Sequence, residues 1–233
     1  IVALDSVKLK NNGTFSFSGK RPEAPDFYRL RIEDKTINFS VDSIETVKIH
    51  ADYKNFSTQY KVEGSDNSSK IKELTLLQTE LQNKMNDLAK SGLPIGIAQD
   101  SATNMVNTYK EEIKRNYIFV GPNKAYAYFA LFQYVVINGN PIMIFNPRMD
   151  ATDNKVFGAV ATSWDTFYPN TERTQNLHNI TLKGMKDERI VENNKRTMAA
   201  ETAKVQELGV IPITLPDNHG QQQSLTSLKG KVV

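Results

Sequence analysis

The chain contains no cysteine. Disulfides, thiolate nucleophiles and cysteine-held metals are therefore excluded for its 233 residues. The compartment is not fixed by this absence, because cytosolic and exported domains alike often lack cysteine. Histidine is nearly as scarce: His50, His178 and His219 lie far apart, with no i, i+4 partner. A zinc site needs several N, S or O ligands to converge, so three surface or internally satisfied histidines and no metal are expected. Long apolar runs are missing too. The richest, Ala125 to Ile137, is interrupted by Tyr126, Tyr128, Gln133 and Tyr134 and falls short of the ~20 residues needed to span a bilayer. Neither sign of charge dominates. With 29 basic and 26 acidic side chains the net charge is +3, too even for the concentrated basic face that nucleic acid requires. Gly-x-Gly-x-x-Gly, Walker-type and Gly-x-Ser-x-Gly motifs are all absent, so neither nucleotide binding nor serine-hydrolase chemistry has a motif to rest on. The chain opens on Ile1 without a start methionine or signal peptide, which reads as a processed or truncated end.

What is present falls into two periods. Residues 1–64 alternate as strands. Val7 and Leu9, then Phe15 and Phe17, flank an Asn11-Asn12-Gly13 turn, and Phe27 to Ile32 alternates before Glu33-Asp34-Lys35 turns it into Thr36 to Phe39. Val47, Ile49 and Ala51 alternate next, and Tyr60 to Glu63 closes the series before Gly64. Short strands at close spacing predict an antiparallel sandwich or barrel-like domain.

From Ser65 the period becomes helical. Ile71, Leu74, Leu77, Leu81, Met85 and Leu88 form one stripe, with N-cap candidates in Asp66 to Ser69 and a stop at Ser91-Gly92 before Pro94. A second helix is expected from near Asp100 to Asn116, with Ala102, Met105, Tyr109 and Ile113 on one face. Ala125 to Val135 reads as a helix apolar nearly all round, hence buried. Asn138 to Pro141 reads as a turn, and Ile142 to Phe145 as an apolar link. Val156 to Phe167 and Glu172 to about Ala203 form a last helix pair broken at Tyr168-Pro169-Asn170, its polar end acting as a linker.

Several groups invite a functional role and are weighed against packing. Tyr126, Tyr128, Phe129, Phe132 and Tyr134 could line a groove, as could Trp164, Phe167 and Tyr168, but helical spacing favours core packing. Asp150 to Asn154 lacks the acidic alternation, central Gly and closing Glu of a calcium loop, so a helix start capped by Thr152 or Asp153 is expected. Asn-x-Ser/Thr triplets begin at Asn12, Asn38, Asn55, Asn67 and Asn179, a number that asparagine abundance explains. No residue is assigned a catalytic, cofactor-binding or metal-ligating role, and no cofactor is expected.

The last stretch is the most distinctive. Ile211 to Leu215 and Gln221 to Leu225 read as paired strands around Pro216-Asp217-Asn218-His219-Gly220, Thr226 to Lys229 as one helical turn closed by Gly230, and Lys231-Val232-Val233 as the start of a buried strand. Leu215-Pro216-Asp217, Ser224-Leu225 and Leu228-Lys229-Gly230-Lys231-Val232-Val233 resemble the entry of thioredoxin-like thiol-disulfide oxidoreductases of the AhpC/TSA and TlpA/ResA kind. Asp5 to Leu9, Gly13 to Gly19 and Pro25 to Leu30, continued by Asn38-Phe39, Asp42 to Thr46 and Val62 to Ser65, look like the accessory domain of unknown function that precedes such a module in envelope proteins of Bacteroides-type bacteria. Asp5-Ser6-Val7, Asp42-Ser43-Ile44 and Asp100-Ser101-Ala102 look like short O-glycosylation sites of that group. The resemblance implies an α+β chain of three parts: a β-rich accessory domain at 1–64, a helical segment at 65–208 ending in a polar linker helix, and the truncated start of a thioredoxin-like domain at 209–233. It implies dithiol exchange by a Cys-x-x-Cys module outside this chain, with client protein thiols and disulfides as partners. A homodimer and a periplasmic or envelope location, with a lipid anchor on a removed N-terminus as one form, go with it. A non-enzymatic envelope module that binds a protein, peptide or glycan is the alternative.

Overall fold

The computed structural model describes residues 3–208, 213–224 and 227. Its elements are, in order, β1 (Asp26–Ile32), β2 (Lys35–Val41), β3 (Lys48–Ala51), β4 (Tyr60–Glu63), α1 (Asp66–Lys90), α2 (Ile95–Ile113), α3 (Ala125–Leu131), β5 (Tyr134–Ile137), β6 (Asn140–Met143), α4 (Ala151–Phe167), α5 (Glu172–Leu208), β7 (Thr214–Pro216) and β8 (Gln222–Ser224). This is a mixed α+β arrangement. The strands pair with their sequence neighbours as four two-stranded antiparallel sheets, and no closed barrel forms among the described residues.

At the N-terminal end the Asn11-Asn12-Gly13 turn forms, with Gly13 at φ 74° and its N–H on the Lys10 carbonyl at 2.8 Å. The flanking strands expected around it do not: Val7, Leu9 and Phe17 stay about half exposed, without a sheet to cover them. Regular pairing begins with β1 and β2, where Tyr28 lies opposite Phe39 and their rings stack at 5.6 Å. A small core of Ile37, Phe56 and Tyr60, edged by Leu30, Ile32, Ile49 and Val62, holds β1–β2 against β3–β4.

Strand gives way to helix at Gly64-Ser65. Gly64 sits at φ 82°, and a Cβ there would run into the Thr46 carbonyl, so the tight approach demands glycine. Ser65 then caps α1 by accepting from the Ser68 N–H. The α1 stripe is oriented as its spacing predicts, with Ile71, Leu74 and Leu81 buried and Leu77 and Met85 packed at the margin. Helix α2 starts earlier than expected, directly after Pro94, and continues past Ile113 as a five-residue π-turn, Lys114–Ile118, that swings Tyr117 and Ile118 into the main core.

The largest departure is at residues 125–143. The expected long helix ends at Leu131, and the expected apolar link is a strand: β5 and β6 form a hairpin. Asn138 and Gly139 take φ 51° and 79°, the double positive φ of a type I′ turn, and β-branched Val135, Val136 and Ile137 favour the extended state. Turn chemistry and branching together override the helical apolar pattern.

Helices α4 and α5 pack along each other, closing the main core over Trp164, Phe157, Val160 and Leu177. Asp150, not Thr152 or Asp153, caps α4, accepting from both of their N–H groups. Gly184 lies where α5 crosses Pro147 and Asn154. A Cβ there would contact the Pro147 carbonyl and sit 2.6 Å from Asn154 Oδ1. Gly184→Ala is therefore expected to cost about 1–3 kcal/mol by overpacking, read as a lower urea midpoint, whereas an unchanged midpoint would show that α5 does not seat here.

The hairpin β7–β8 closes through Asp217, whose Oδ1 accepts from the N–H groups of His219 and Gln221 at 2.9 Å each. Those two bonds hold its carboxyl below the usual range. The beginning of the expected first strand, the helical turn at Thr226 to Lys229 apart from Ser227, and the strand at Lys231-Val232-Val233 lie outside the described residues.

Candidate functional site

The densest polar constellation lies along the seam between the β1–β2 hairpin and the helical body. Strand alternation puts Phe27 and Ser40, directly paired across β1 and β2, on the face turned toward the helices. Phe27 stacks on Tyr128 of α3 at 5.3 Å and on Phe129 at 6.4 Å. Arg173, in the first turn of α5, covers the same rings, 4.9 Å from the Phe27 centroid and 5.8 Å from that of Tyr128, and pairs with Asp26. Three elements are thereby clamped at one point.

Further along, the first turn of α1 behaves like a third strand beside β2. The Ser40 N–H donates to Ser68 Oγ at 3.1 Å, and that hydroxyl donates back to the Ser40 carbonyl at 2.8 Å. One residue earlier in α1, Asn67 donates through Nδ2 to Asp42, just beyond the end of β2. Asp42 in turn donates its N–H to Glu45 Oε1 at 3.0 Å. Burial, reinforced by the neighbouring Glu45 carboxylate, pushes the Asp42 carboxyl up to about 6. Tyr168, in the turn between α4 and α5, is raised as well, by burial and then by the charge of Asp42.

Two other polar groups tie α1 to the segment 133–136, Gln133 within the core and Gln78 with Gln82 at its exposed edge. Gln133 accepts from the Tyr109 hydroxyl at 2.7 Å and donates to the Leu74 carbonyl at 2.9 Å. On α1, Gln78 donates to the Tyr134 carbonyl, and Gln82 both accepts from Val136 N–H at 2.7 Å and donates to its carbonyl at 3.0 Å. These glutamines stand in for a neighbouring strand and satisfy the inner edge of β5. At the other end, Lys110 reaches Asp153 Oδ2 at 2.6 Å, while the same oxygen accepts from Asn146 N–H at 2.8 Å.

The aromatic residues weighed from sequence divide between the core and the surface. Trp164 is fully buried, Tyr126 and Tyr128 nearly so, and Phe129, Phe132 and Tyr168 pack at the core margin. Tyr134 and Phe167 are exposed. The histidines occupy separate elements: His50 is exposed on β3, His178 on α5 lies 3.5 Å from Asp165, and His219 belongs to the β7–β8 turn. No cluster of three His, Cys, Asp or Glu suited to a metal occurs among the described residues. Two surface depressions at α5 are lined by polar and apolar side chains of that helix, Met185, Ile190 and Val191 among them, and by Asn146, Arg148 and Met149, with Arg148 bonded to Asp187 at 2.5 Å. Chemically the seam can hold a proton between carboxyl groups. It presents no nucleophile beside a base.

Asp42 and Asn67 were legible only as parts of an Asp-Ser-Ile triplet and a helix cap. The signal that marks them is their shared burial across 25 residues of sequence, which no local pattern encodes.

Residues 1–71 match the family model described as a domain of unknown function (DUF4369). The match takes in β1 to β4 and the start of α1, and with it Ser40, Asp42, Asn67 and Ser68, but not Tyr128 or Arg173 across the seam. No curated protein and no solved structure matches the chain. No helix among the described residues is long and apolar enough to cross a membrane.

Proposed function

We propose that the chain is the accessory and positioning region of a cell-envelope thiol-disulfide oxidoreductase, held in the periplasm or on the envelope, whose exchanging thiols lie in a thioredoxin-like module beyond these residues. The observation that carries this reading is α5. It has 37 residues, packs on α4 in its first part, and from Glu188 to Ala203 exposes every side chain. That exposed stretch is an arm of about 25 Å. Its polar composition explains why it can remain helical without a partner helix, through pairs such as Glu192 with Arg196 at 3.0 Å. Beyond the arm come the β7–β8 hairpin and Leu215-Pro216-Asp217, the part of the sequence that resembles the entry of the redox module. Exchange there would proceed by thiolate attack on a disulfide and resolution by a second thiol. This chain, without cysteine, contributes neither thiol; its part is placement.

The alternative, a non-enzymatic envelope module for a protein, peptide or glycan, draws on a different surface. Tyr134, Val136, Ile137, Ile142 and Met143 of the β5–β6 hairpin all face solvent, whereas the aromatic helix α3 first considered for this role is largely buried.

The test is to express the chain extended through the coding sequence that follows Val233, beside residues 1–233 alone, and to assay reduction of a protein disulfide. The expected result is a Trp-Cys-x-x-Cys in the extension and turnover only by the extended protein. A continuation without cysteine sinks the redox reading and leaves the binding module. Turnover by residues 1–233 alone would overturn the division of labour.

A further inference from the structure

Three side-chain atoms near the end of β2 are sealed from solvent without a hydrogen-bond partner: Ser40 Oγ, Asp42 Oδ1 and Asn67 Oδ1. Native interiors rarely leave such atoms orphaned, and a local group of them asks for an explanation. Two of the three, a carboxylate oxygen and a carboxamide oxygen, can only accept. The Asn67 amide is anchored by its nitrogen on the other Asp42 oxygen, so both unpaired oxygens belong to one hydrogen-bonded pair of side chains. Glu45 adds a second carboxylate to the same spot, its Oε1 held on the Asp42 N–H at 3.0 Å. Around the Asp42 carboxyl itself, acceptors outnumber donors.

We propose that the folded chain binds a proton at the Asp42 carboxyl, directed toward Glu45, and that its release loosens the seam between the β1–β2 hairpin and α1. Protonation turns Asp42 into a donor toward the neighbouring Glu45 carboxylate, and removes the repulsion between the two carboxylates. Charges that face the group from the other elements divide. Glu45, on the loop after β2, favours the proton, as does burial; Lys124, at the entry to α3, opposes it. The Asn67 Nδ2–H that donates to the Asp42 carboxylate opposes it too, because that bond favours the charged form. Tyr168 from the α4–α5 turn contributes a phenol that stays neutral. Burial and Glu45 prevail, raising the carboxyl from 3.8 to about 6.

Because the folded value lies above the unfolded one, the stabilisation is complete below about pH 4 and is lost as pH rises through about 6. Asp42 is only half buried, so solvent screening reduces the effect to about 10-fold in the folding equilibrium constant across that window.

The experiment compares urea unfolding of the wild type and Asp42→Asn between pH 4.5 and 8.5. Asparagine keeps the shape and always carries donor hydrogens, so it imitates the protonated acid. The ratio of wild-type to D42N folding constants should fall about 10-fold with rising pH, while contributions common to the two proteins cancel. Glu45→Gln should flatten the wild-type slope. Parallel profiles for wild type and D42N would overturn the proposal. So would a selective rise in wild-type melting temperature on adding calcium at pH 8, which would assign the orphaned oxygens to a cation. Should D42N fail to fold, the carboxyl carbon of Asp42 can be titrated by NMR in the wild type: a midpoint of about 5 or above supports the proton site and one at about 4 refutes it.

Discussion

Trp164→Ala is expected to lower the unfolding free energy by about 3–5 kcal/mol, enough to leave a marginal domain partly unfolded at room temperature. The indole has no exposed surface, and its ring lies 4.7 Å from that of Tyr128 and 5.1 Å from that of Tyr168. Tyr128 in turn carries Phe27 of β1 and the Arg173 guanidinium. Removing the tryptophan therefore opens a cavity beneath the seam as well as within the helical body. The Trp164 Nε1 is buried without a partner, so the residue acts through its volume and not through a hydrogen bond. Trp164→Phe should accordingly cost less, about 1–2 kcal/mol, since it restores most of the apolar bulk. Circular dichroism across a urea titration separates these outcomes, the only tryptophan being unavailable as a fluorophore in the variants. Equal losses for alanine and phenylalanine would show that shape specific to the indole, and not filled volume, sets the cost. Any partner binding lost in Trp164→Ala in proportion to the unfolded fraction belongs to the fold and not to a binding surface.

The sequence disclosed those features that are local. Ser65 with its following stripe announces α1, the Gly64 and Asn170 turns end elements where expected, and the polar stretch after Gly184 foretells the exposed half of α5. The 125–143 segment departs from its expected helix because its apolar spacing satisfies a helix while the Asn138-Gly139 turn and β-branched run satisfy a hairpin; only the competing interactions decide. There Gln78 and Gln82, more than fifty residues away, supply hydrogen bonds that an exposed β5 edge would lack. The N-terminal stretch departs from its expected strands for the converse reason. A strong turn formed, but alternation without a covering sheet did not yield strands. The seam was invisible for a third reason: Asp42, Asn67 and Ser40 are unremarkable polar residues until folding buries them together. Long-range burial is what turns a common carboxylate into a proton site.

The same principle makes Lys110 and Asp153 the second large prediction. Neither has a helical partner at i, i+4 spacing in a way that marks it, yet Asp153 is 2% exposed at its side chain and Lys110 13%. Their 2.6 Å contact joins α2 to the first turn of α4, Asn146 N–H adds a second bond to the same oxygen, and Asp150 stands 3.6 Å from the ammonium. Burial works against the Asp150 carboxylate, but the N–H groups of Thr152 and Asp153 and the Lys110 charge hold it below the usual range. Asp153→Ala removes the acceptor and leaves a largely buried ammonium with only the more exposed Asp150 at longer range. A loss of about 3–5 kcal/mol is expected, well above that of an exposed pair such as Glu80 with Lys84. The cost is that of an uncompensated charge and not the worth of the pair, so the two must be distinguished. Lys110→Met with Asp153→Asn removes both charges, retains an acceptor for Asn146 and lays an apolar chain near Phe145, whose ring the ammonium faces at 5.7 Å. This double variant should recover most of the deficit, coming within about 1–2 kcal/mol of the wild type. If it is as unstable as Asp153→Ala, the ion pair itself holds α2 to α4; recovery shows that the pair fixes how the helices register while apolar packing supplies the stability.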